Sequence, residues 1–548
     1  MLKGLWSFGF VFLVCLLEAQ DIPRVSNAYL IKGALITTSP ESAPLLQDIL
    51  IKDGIIQEVG PNIKASIVAR IIQADSMYMY PGFIAAASHI GITKPKEPSS
   101  PPKVERPGYP PNNLAGITPE AKSAEFYNGQ EGSIASMRKL GFSISHSMPY
   151  GKMLPGQTSI ISLNGKSFNE AAIAEDFGQY AQFKGASSMF PATTIGVMAK
   201  WRELYRNAEL ASEHTERYQK QARNLKRPNQ DPATMALIPL TEGKQSVFFH
   251  AEEHVDIQRA LQLQKELGFK EVIVEAKRGE MSIKKAKDRG VKILVSLDLP
   301  KEMKQDSSKD ATVQKDENSL LQERKRTAIT KYETSGASLT KSGLTAGFSF
   351  MEVKSKDIYP NIRRLIANGM TVESALAHLT TLPAKLLNID NIAGTLEKGK
   401  IANLIISNKP IFEKGALVNM VMVDGTLHKI KAKKKKNENR EGINIEGIWS
   451  YTIEVPGLES NGNLEFKKVE ESYNLNMTNN TTPGKTYELT DQTLDGSSLS
   501  YSVDINVEET AIKLEVEITF DGDAFDGSVD VGEFGTFPIT GQKEESPK

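Results

Sequence analysis

From residue 29 the chain alternates apolar and polar positions in short runs. Tyr29–Thr38 and Asp48–Val59 read as β-strands, and Asp53-Gly54 marks a hairpin turn within the second run. A third strand-like run stops at Pro81-Gly82, and the proline-rich stretch 95–120 reads as a long surface loop. From about 125 to 390 the pattern changes to short apolar strands alternating with helical stretches. Strands are expected at Phe142–Ile144, Ser159–Leu163, Ser246–His250, Glu271–Val274 and Lys292–Ser296. Helices are expected at Ala199–Asn224, Val255–Leu267, Ile283–Arg289 and Thr371–Leu379. This alternation predicts a parallel α/β fold, over a span that suits an eight-stranded α/β barrel.

Residues 302–340 are polar and predict a mobile loop or an exposed helix. Beyond 395 the chain turns β-like again, at Ala402–Ile406 and Val418–Val423, with Asp424-Gly425 as a turn. The basic run Lys433–Lys436, followed by Asn-Glu-Asn-Arg440, reads as a linker. Residues 441–548 alternate strictly, as in Ser500–Ile505 and Ala511–Phe520, between turns at Asp495-Gly496 and Asp526-Gly527. That pattern predicts an all-antiparallel β domain, a sandwich or a small barrel.

Charge separates these regions. Residues 441–548 hold 22 acidic side chains and six lysines, a net charge of -16, so the rest of the chain carries +15. The whole chain, at -1, offers no global attraction for nucleic acid. With 40% hydrophobic and 24% charged residues it is an ordinary globular sequence. The single cysteine, Cys15, excludes Cys-based zinc sites, thiol catalysis and disulfide frameworks. It lies in a leader with Lys3 at its start and an apolar run from Leu5 to Leu17, which reads as a secretory signal peptide over residues 1–19. Secretion, or export to a periplasm, is therefore expected, with no transmembrane segment after cleavage.

Three stretches together resemble the amidohydrolase superfamily, its imidazolonepropionase-like branch and secreted bacterial members in particular. They are Tyr80-Pro-Gly-Phe-Ile-Ala-Ala-Ala-Ser-His89, Ser246-Val-Phe-Phe-His-Ala251 with Glu271–Val274, and a tail from Gly369 to Gly425. The tail includes Thr380-Thr-Leu-Pro-Ala-Lys-Leu-Leu387 and Gly394-Thr-Leu-Glu-Lys-Gly-Lys-Ile-Ala-Asn-Leu404. The resemblance implies a distorted TIM-type barrel over 81–394 and a composite β-sandwich from 20–80 and 395–432. A basic linker over 433–440 and the acidic β domain over 441–548 follow. Gly447-Ile-Trp449 resembles the start of a small domain appended to secreted amidohydrolases.

The resemblance also implies metal-dependent hydrolysis of non-peptide C–N bonds. In that chemistry a divalent ion lowers the pKa of its bound water. This chain departs from the family's ligand pattern. The first His-x-His pair becomes Ala87-Ser88-His89, and the acid before it is Ala85. His250 matches the fifth-strand histidine, the sixth-strand position aligns to Ala276, and the eighth-strand aspartate aligns to Ser349. His89 and His250 remain as the candidate metal site; no catalytic residue and no resident cofactor are expected beyond zinc at that residual pair. A catalytic zinc takes three protein ligands. His254 would join His250 if a helix began there, and Glu252, Glu253 and Glu352 are carboxylates within reach in sequence.

The other histidines have plain readings. His146 reads as a strand-end or loop residue, with the loop preferred; His214 as solvated, His378 as packed and His428 as exposed. Met148–Gly156 lacks phosphate-loop spacing, and Asp521–Gly527 reads as hairpin turns rather than a calcium loop. Three functions follow. The first is a catalytically degenerate amidohydrolase that binds or scaffolds, with an active relative as partner. The second is a hydrolase with a reduced metal site on His89 and His250. The third is a binding module centred on the C-terminal β domain.

Overall fold

The computed structural model describes residues 28–64, 69–96, 103–251, 253–301 and 315–430. It also describes 445–544 apart from short stretches at 456–457, 470–471, 481–485, 496–497, 508–509 and 532–535. The leader with Cys15, Glu252 and the run 433–440 lie outside the described residues.

Seven parallel strands form the centre of the first unit. In sheet order they are Phe142–Ser147, Phe83–Ser88, Thr345–Ser349, Lys292–Ser296, Val272–Ala276, Ser246–Ala251 and Gly178–Gln182. Several read as unbroken runs of buried residues, such as Phe-Ile-Ala-Ala-Ala-Ser over Phe83–Ser88. A strand covered on both faces has no solvent side for polar alternation. The sheet curls because its two margins belong to one stretch of chain. Gly156–Gln157 lies antiparallel on Gly178–Gln182, and Ser159–Ser162 lies antiparallel on Phe142–Ser147. Thr158 between them bonds to Gly178 and Phe177 through its backbone. The strand Gly178–Gln182 was not anticipated, because Gly-Gln-Tyr-Ala-Gln shows neither alternation nor an apolar run.

The helices follow their apolar stripes. His254–Leu267 buries Ile257, Ala260, Leu261 and Leu267, and stops at Gly268 in the left-handed conformation (φ 77°). Thr194–Lys220 is capped by Thr193 and buries Val197, Trp201, Leu204 and Tyr205. Pro232–Thr241, unforeseen because of its internal Pro239, is capped by Asp231 with Pro232 in its first turn. For 302–340 the helix of the two alternatives forms, at Lys315–Lys341; residues 323–331 are mostly exposed, while Ser335, Ala337 and Leu339 near its end are buried. Residues 103–120 form neither helix nor strand, yet Ala115 and Ile117 are buried.

Segments before and after the barrel share a second sheet. Leu404–Ser407 pairs antiparallel with Tyr78–Pro81, which joins Ala28–Ile36 and then Leu45–Lys52 and Ile55–Gly60. Its core holds Ile31, Ile49, Ile51, Met79, Leu404, Ile406 and Met422. Two turns with successive positive φ, Asp53-Gly54 and Asp424-Gly425, meet back to back. A Cβ on Gly425 would lie 2.3 Å from the Gly54 Cα, so this approach requires glycine.

The second unit is a closed barrel of eight antiparallel strands from Gly447–Val455 to Thr536–Lys543, whose last strand pairs with its first. Closure leaves no sheet edge. Leu514, Val516, Ile518 and Phe520 point inward, while Lys513, Glu515 and Glu517 point out. The aromatic centre includes Trp449, Phe466, Phe520 and Phe525. One turn is corrected: Asp526-Gly527 lies within the strand Ala524–Asp530, and the chain reverses at Gly522-Asp523 instead. A Cβ on Gly527 would fall 2.0 Å from the Glu517 carbonyl oxygen, so its glycine serves close strand packing.

Candidate functional site

Side chains at the C-terminal ends of parallel barrel strands converge on one mouth. Five polar residues stand there on four neighbouring strands. His250 belongs to Ser246–Ala251 and Glu275 to Val272–Ala276; Lys277 follows directly. Asp298 follows Lys292–Ser296, and Glu352 follows Thr345–Ser349.

His250 and Glu275 are register partners, so both project to one face of the sheet. The His250 Nδ1 lies 2.6 Å from the Glu275 Oε2. Burial of Glu275 opposes its ionisation. The charge and hydrogen bond of His250, with smaller help from the Ser349 hydroxyl and Lys277, outweigh that and hold its pKa below the ordinary carboxylate value. The resemblance assigns this strand's ligand position to Ala276. The structure puts Ala276 opposite Ala251, on the other side of the pleat.

Lys277 is the hub of the second group. Its Nζ donates to Asp298 Oδ2 and to Glu352 Oε2, each at 2.7 Å. Burial disfavours the ammonium, but the two carboxylates more than compensate and raise its pKa above the ordinary lysine value. The other Glu352 oxygen, Oε1, lies 3.9 Å from the His250 Nε2, which links the two groups.

His89 follows Phe83–Ser88 at the same mouth. Its Nδ1 lies 2.7 Å from the Met148 carbonyl, so that nitrogen donates. The Tyr150 ring stacks on it at 3.8 Å, and the Tyr180 ring meets it edge-on at 6.2 Å. Burial lowers its pKa to about 4, which keeps it neutral. A cavity with room for about one water, ≈ 10 Å³, is lined by His250, Glu275, Tyr180, Met148 and Ala87.

Two other histidines depart from expectation. His146 lies on Phe142–Ser147 rather than in a loop, and it is fully buried. Its Nδ1 reaches the Ala86 carbonyl at 2.9 Å and its Nε2 the Thr158 hydroxyl at 2.7 Å. His428 is half-buried rather than exposed. His254 opens its helix while His250 stays on its strand, so the two do not share a helical turn. Glu253 accepts from the Tyr332 hydroxyl at 2.9 Å instead of joining the mouth cluster.

Glu275, Lys277 and Asp298 were not singled out from the sequence. The signal that would find them is a charged residue inside an apolar strand, or one to two residues past its end, in a parallel barrel.

The comparisons with known proteins agree with this architecture. Residues 275–428 match the model of the Amidohydrolase family. An amidohydrolase from Thermotoga maritima MSB8 superposes with a TM-score of 0.59 at 21% identity, covering 73% of this chain and 100% of that one. This likeness shows that the chain shares the amidohydrolase fold. Two further structures are similar to this chain at lower scores. Molinate hydrolase has a TM-score of 0.41 and 11% identity, over 74% of this chain and 95% of that one. A β-aspartyl dipeptidase from Fervidobacterium islandicum AW-1 has a TM-score of 0.38 and 11% identity, over 73% and 97%. No curated protein matches the sequence.

Amidohydrolases typically use a metal, and the residues of this mouth do not fit one. Lys277 already occupies the carboxylates of Asp298 and Glu352, and Glu275 occupies the Nδ1 of His250. Among the described residues no three His, Cys, Asp or Glu side chains are grouped so as to hold a metal ion. No helix among them is long and apolar enough to cross a membrane.

Proposed function

We propose that this chain is a secreted amidohydrolase-family protein whose barrel does not activate water on a metal and serves binding or scaffolding, with an active relative as partner. The observation that carries the reading is the Lys277 ammonium bridging Asp298 and Glu352, where a catalytic cation would need those carboxylates. Alanine or serine at positions 85, 87, 276 and 349, which the family pattern gives to ligands or acids, supports it. Metal content tests it. After dialysis against trace zinc, the purified chain is expected to retain close to no metal by mass spectrometry. One metal per chain would sink the proposal.

A second reading rests on the His250–Glu275 pair beside a water-sized cavity. An imidazole oriented by a buried carboxylate is the arrangement of a general base. On this reading the barrel still hydrolyses C–N bonds, with His250 as base. Screening amides and cyclic ureides against wild type and His250→Ala decides it, because turnover lost in the variant is required.

A further inference from the structure

We infer that the ≈ 10 Å³ cavity beside His250 and Glu275 is a binding site for one ordered water, held between the buried Glu275 Oε1 and the Tyr180 hydroxyl. The inference depends on neither functional reading.

Glu275 is 5% exposed, and its two oxygens are treated unequally. His250 meets Oε2 at 2.6 Å. Oε1 is buried and accepts no hydrogen bond from the described residues. The Ser349 hydroxyl favours the ionised carboxylate but does not supply that bond. Burying a charged oxygen without a donor is costly, and native structures meet such a need with a protein group or an ordered water. Glu275 lines the cavity, and Tyr180 lines it too. Tyr180 is 3% exposed. Burial first, then the charges of Glu275 and Glu352, push its pKa well above the ordinary phenol value. Its hydroxyl therefore keeps its proton and stands as a donor in the field of Glu275.

Size and chemistry both select water. The volume is about that of one probe sphere, so it suits a single water and nothing larger. A water there donates to Glu275 Oε1 and accepts from the Tyr180 O–H, which gives it the two polar partners that a buried water needs. A catalytic zinc takes three protein ligands, and Glu275 has only one oxygen to offer. Ala87, Phe248 and Ile273 make the surrounding wall apolar, so the two polar partners fix where the water sits. Glu275 is then held at both oxygens, by His250 on one and by the water on the other. Tyr180 thereby acts on His250 through the water and the carboxylate.

The experiment is crystallography of the purified chain, wild type and Tyr180→Phe, at a resolution that shows ordered water, with oxygen-17 relaxation dispersion of water in solution beside it. Wild type is expected to show one peak within about 2.5–3.0 Å of both Glu275 Oε1 and the Tyr180 hydroxyl oxygen, the range of O–H···O bonds. Chelator is expected to leave that peak in place. Tyr180→Phe is expected to lose the peak and, in solution, one long-lived water. A wild-type cavity without density overturns the inference. So does a peak that touches only one of the two oxygens, a peak that chelator removes, or one that stays in place in Tyr180→Phe. If Tyr180→Phe does not fold, the wild-type density with and without chelator decides alone.

Discussion

The His250 Nδ1 and the Glu275 Oε2, 2.6 Å apart, join two neighbouring parallel strands at one register position. A hydrogen bond accepted by an ionised carboxylate is short and roughly twice as strong as a neutral one. Glu275→Gln keeps the shape and removes the charge. It is expected to lower stability at neutral pH by about 1–3 kcal/mol, the cost of a weakened buried bond to a charged group. The pH dependence has a definite sign. The folded pKa of Glu275 lies below its unfolded value, so its contribution is present above about pH 4.3 and fades as the pH falls through the folded pKa. Urea midpoints across pH 3–7 are expected to be less steep at the acid end in Glu275→Gln.

A second acid effect comes from buried neutral histidines. Burial holds His146 and His378 near pKa 4, against an unfolded value of about 6.5. Unfolded imidazoles take protons first as the pH drops. The stability these residues contribute is whole above about pH 6.5 and is lost progressively down to about pH 4. His146→Gln is expected to remove part of that slope. It is also expected to cost about 1–3 kcal/mol at pH 7, because the Thr158 hydroxyl and Ala86 carbonyl lose their partner. Chemical unfolding of both proteins at pH 7 and pH 5 measures the two effects together.

These residues show what was legible in the sequence. The barrel strands were readable because each is a short apolar run framed by polar residues, as in Lys292–Ser296. His89 and His250 were found by family pattern, and both stand at the mouth. Glu275, Lys277 and Asp298 escaped because their meaning is tertiary. Each is an ordinary charged residue until parallel register brings four strand ends together. His146 was misjudged because Ser-His-Ser before Met-Pro looks like a loop, while the strand runs on to Ser147 and is covered on both sides. The Asp526-Gly527 turn failed similarly: the glycine answers a close neighbouring strand, which the local sequence does not encode.

Arg364 and Glu333 tie the helix Lys315–Lys341 to the helix Ile358–Ala367. The Arg364 Nε donates to Glu333 Oε1 at 2.7 Å, and Asn368 donates to the other oxygen at 3.1 Å. The two side chains are 11% and 12% exposed, so removing one partner strands a charge away from water. Glu333→Ala is expected to destabilise the first unit by about 3–5 kcal/mol, and the double change Glu333→Leu/Arg364→Met by much less. The comparison of unfolding midpoints is the check. Equal losses in both variants would mean that packing of the helix, not the uncompensated charge, sets the cost.

Trp449 anchors the C-terminal barrel. It is fully buried and packs against Phe466, Phe520 and Phe525, and its Nε1 donates to the Ile445 carbonyl at 2.9 Å. A barrel closed by pairing its first and last strands, with Ile445 packed at its start, carries the core of its described residues within 445–543. Residues 441–548 expressed alone are therefore expected to unfold cooperatively in urea, followed by circular dichroism. Trp449→Ala opens a large cavity and is expected to cost about 3–5 kcal/mol. For a domain of this size that is a large part of the total stability. Trp449→Phe keeps the ring contacts but leaves the Ile445 carbonyl without its donor, so a loss of about 1–2 kcal/mol is expected. If Ala and Phe cost the same, the hydrogen bond dominates and the aromatic cluster is not the organising centre. If the isolated segment has no cooperative transition, strand closure alone does not make this barrel an independent folding unit.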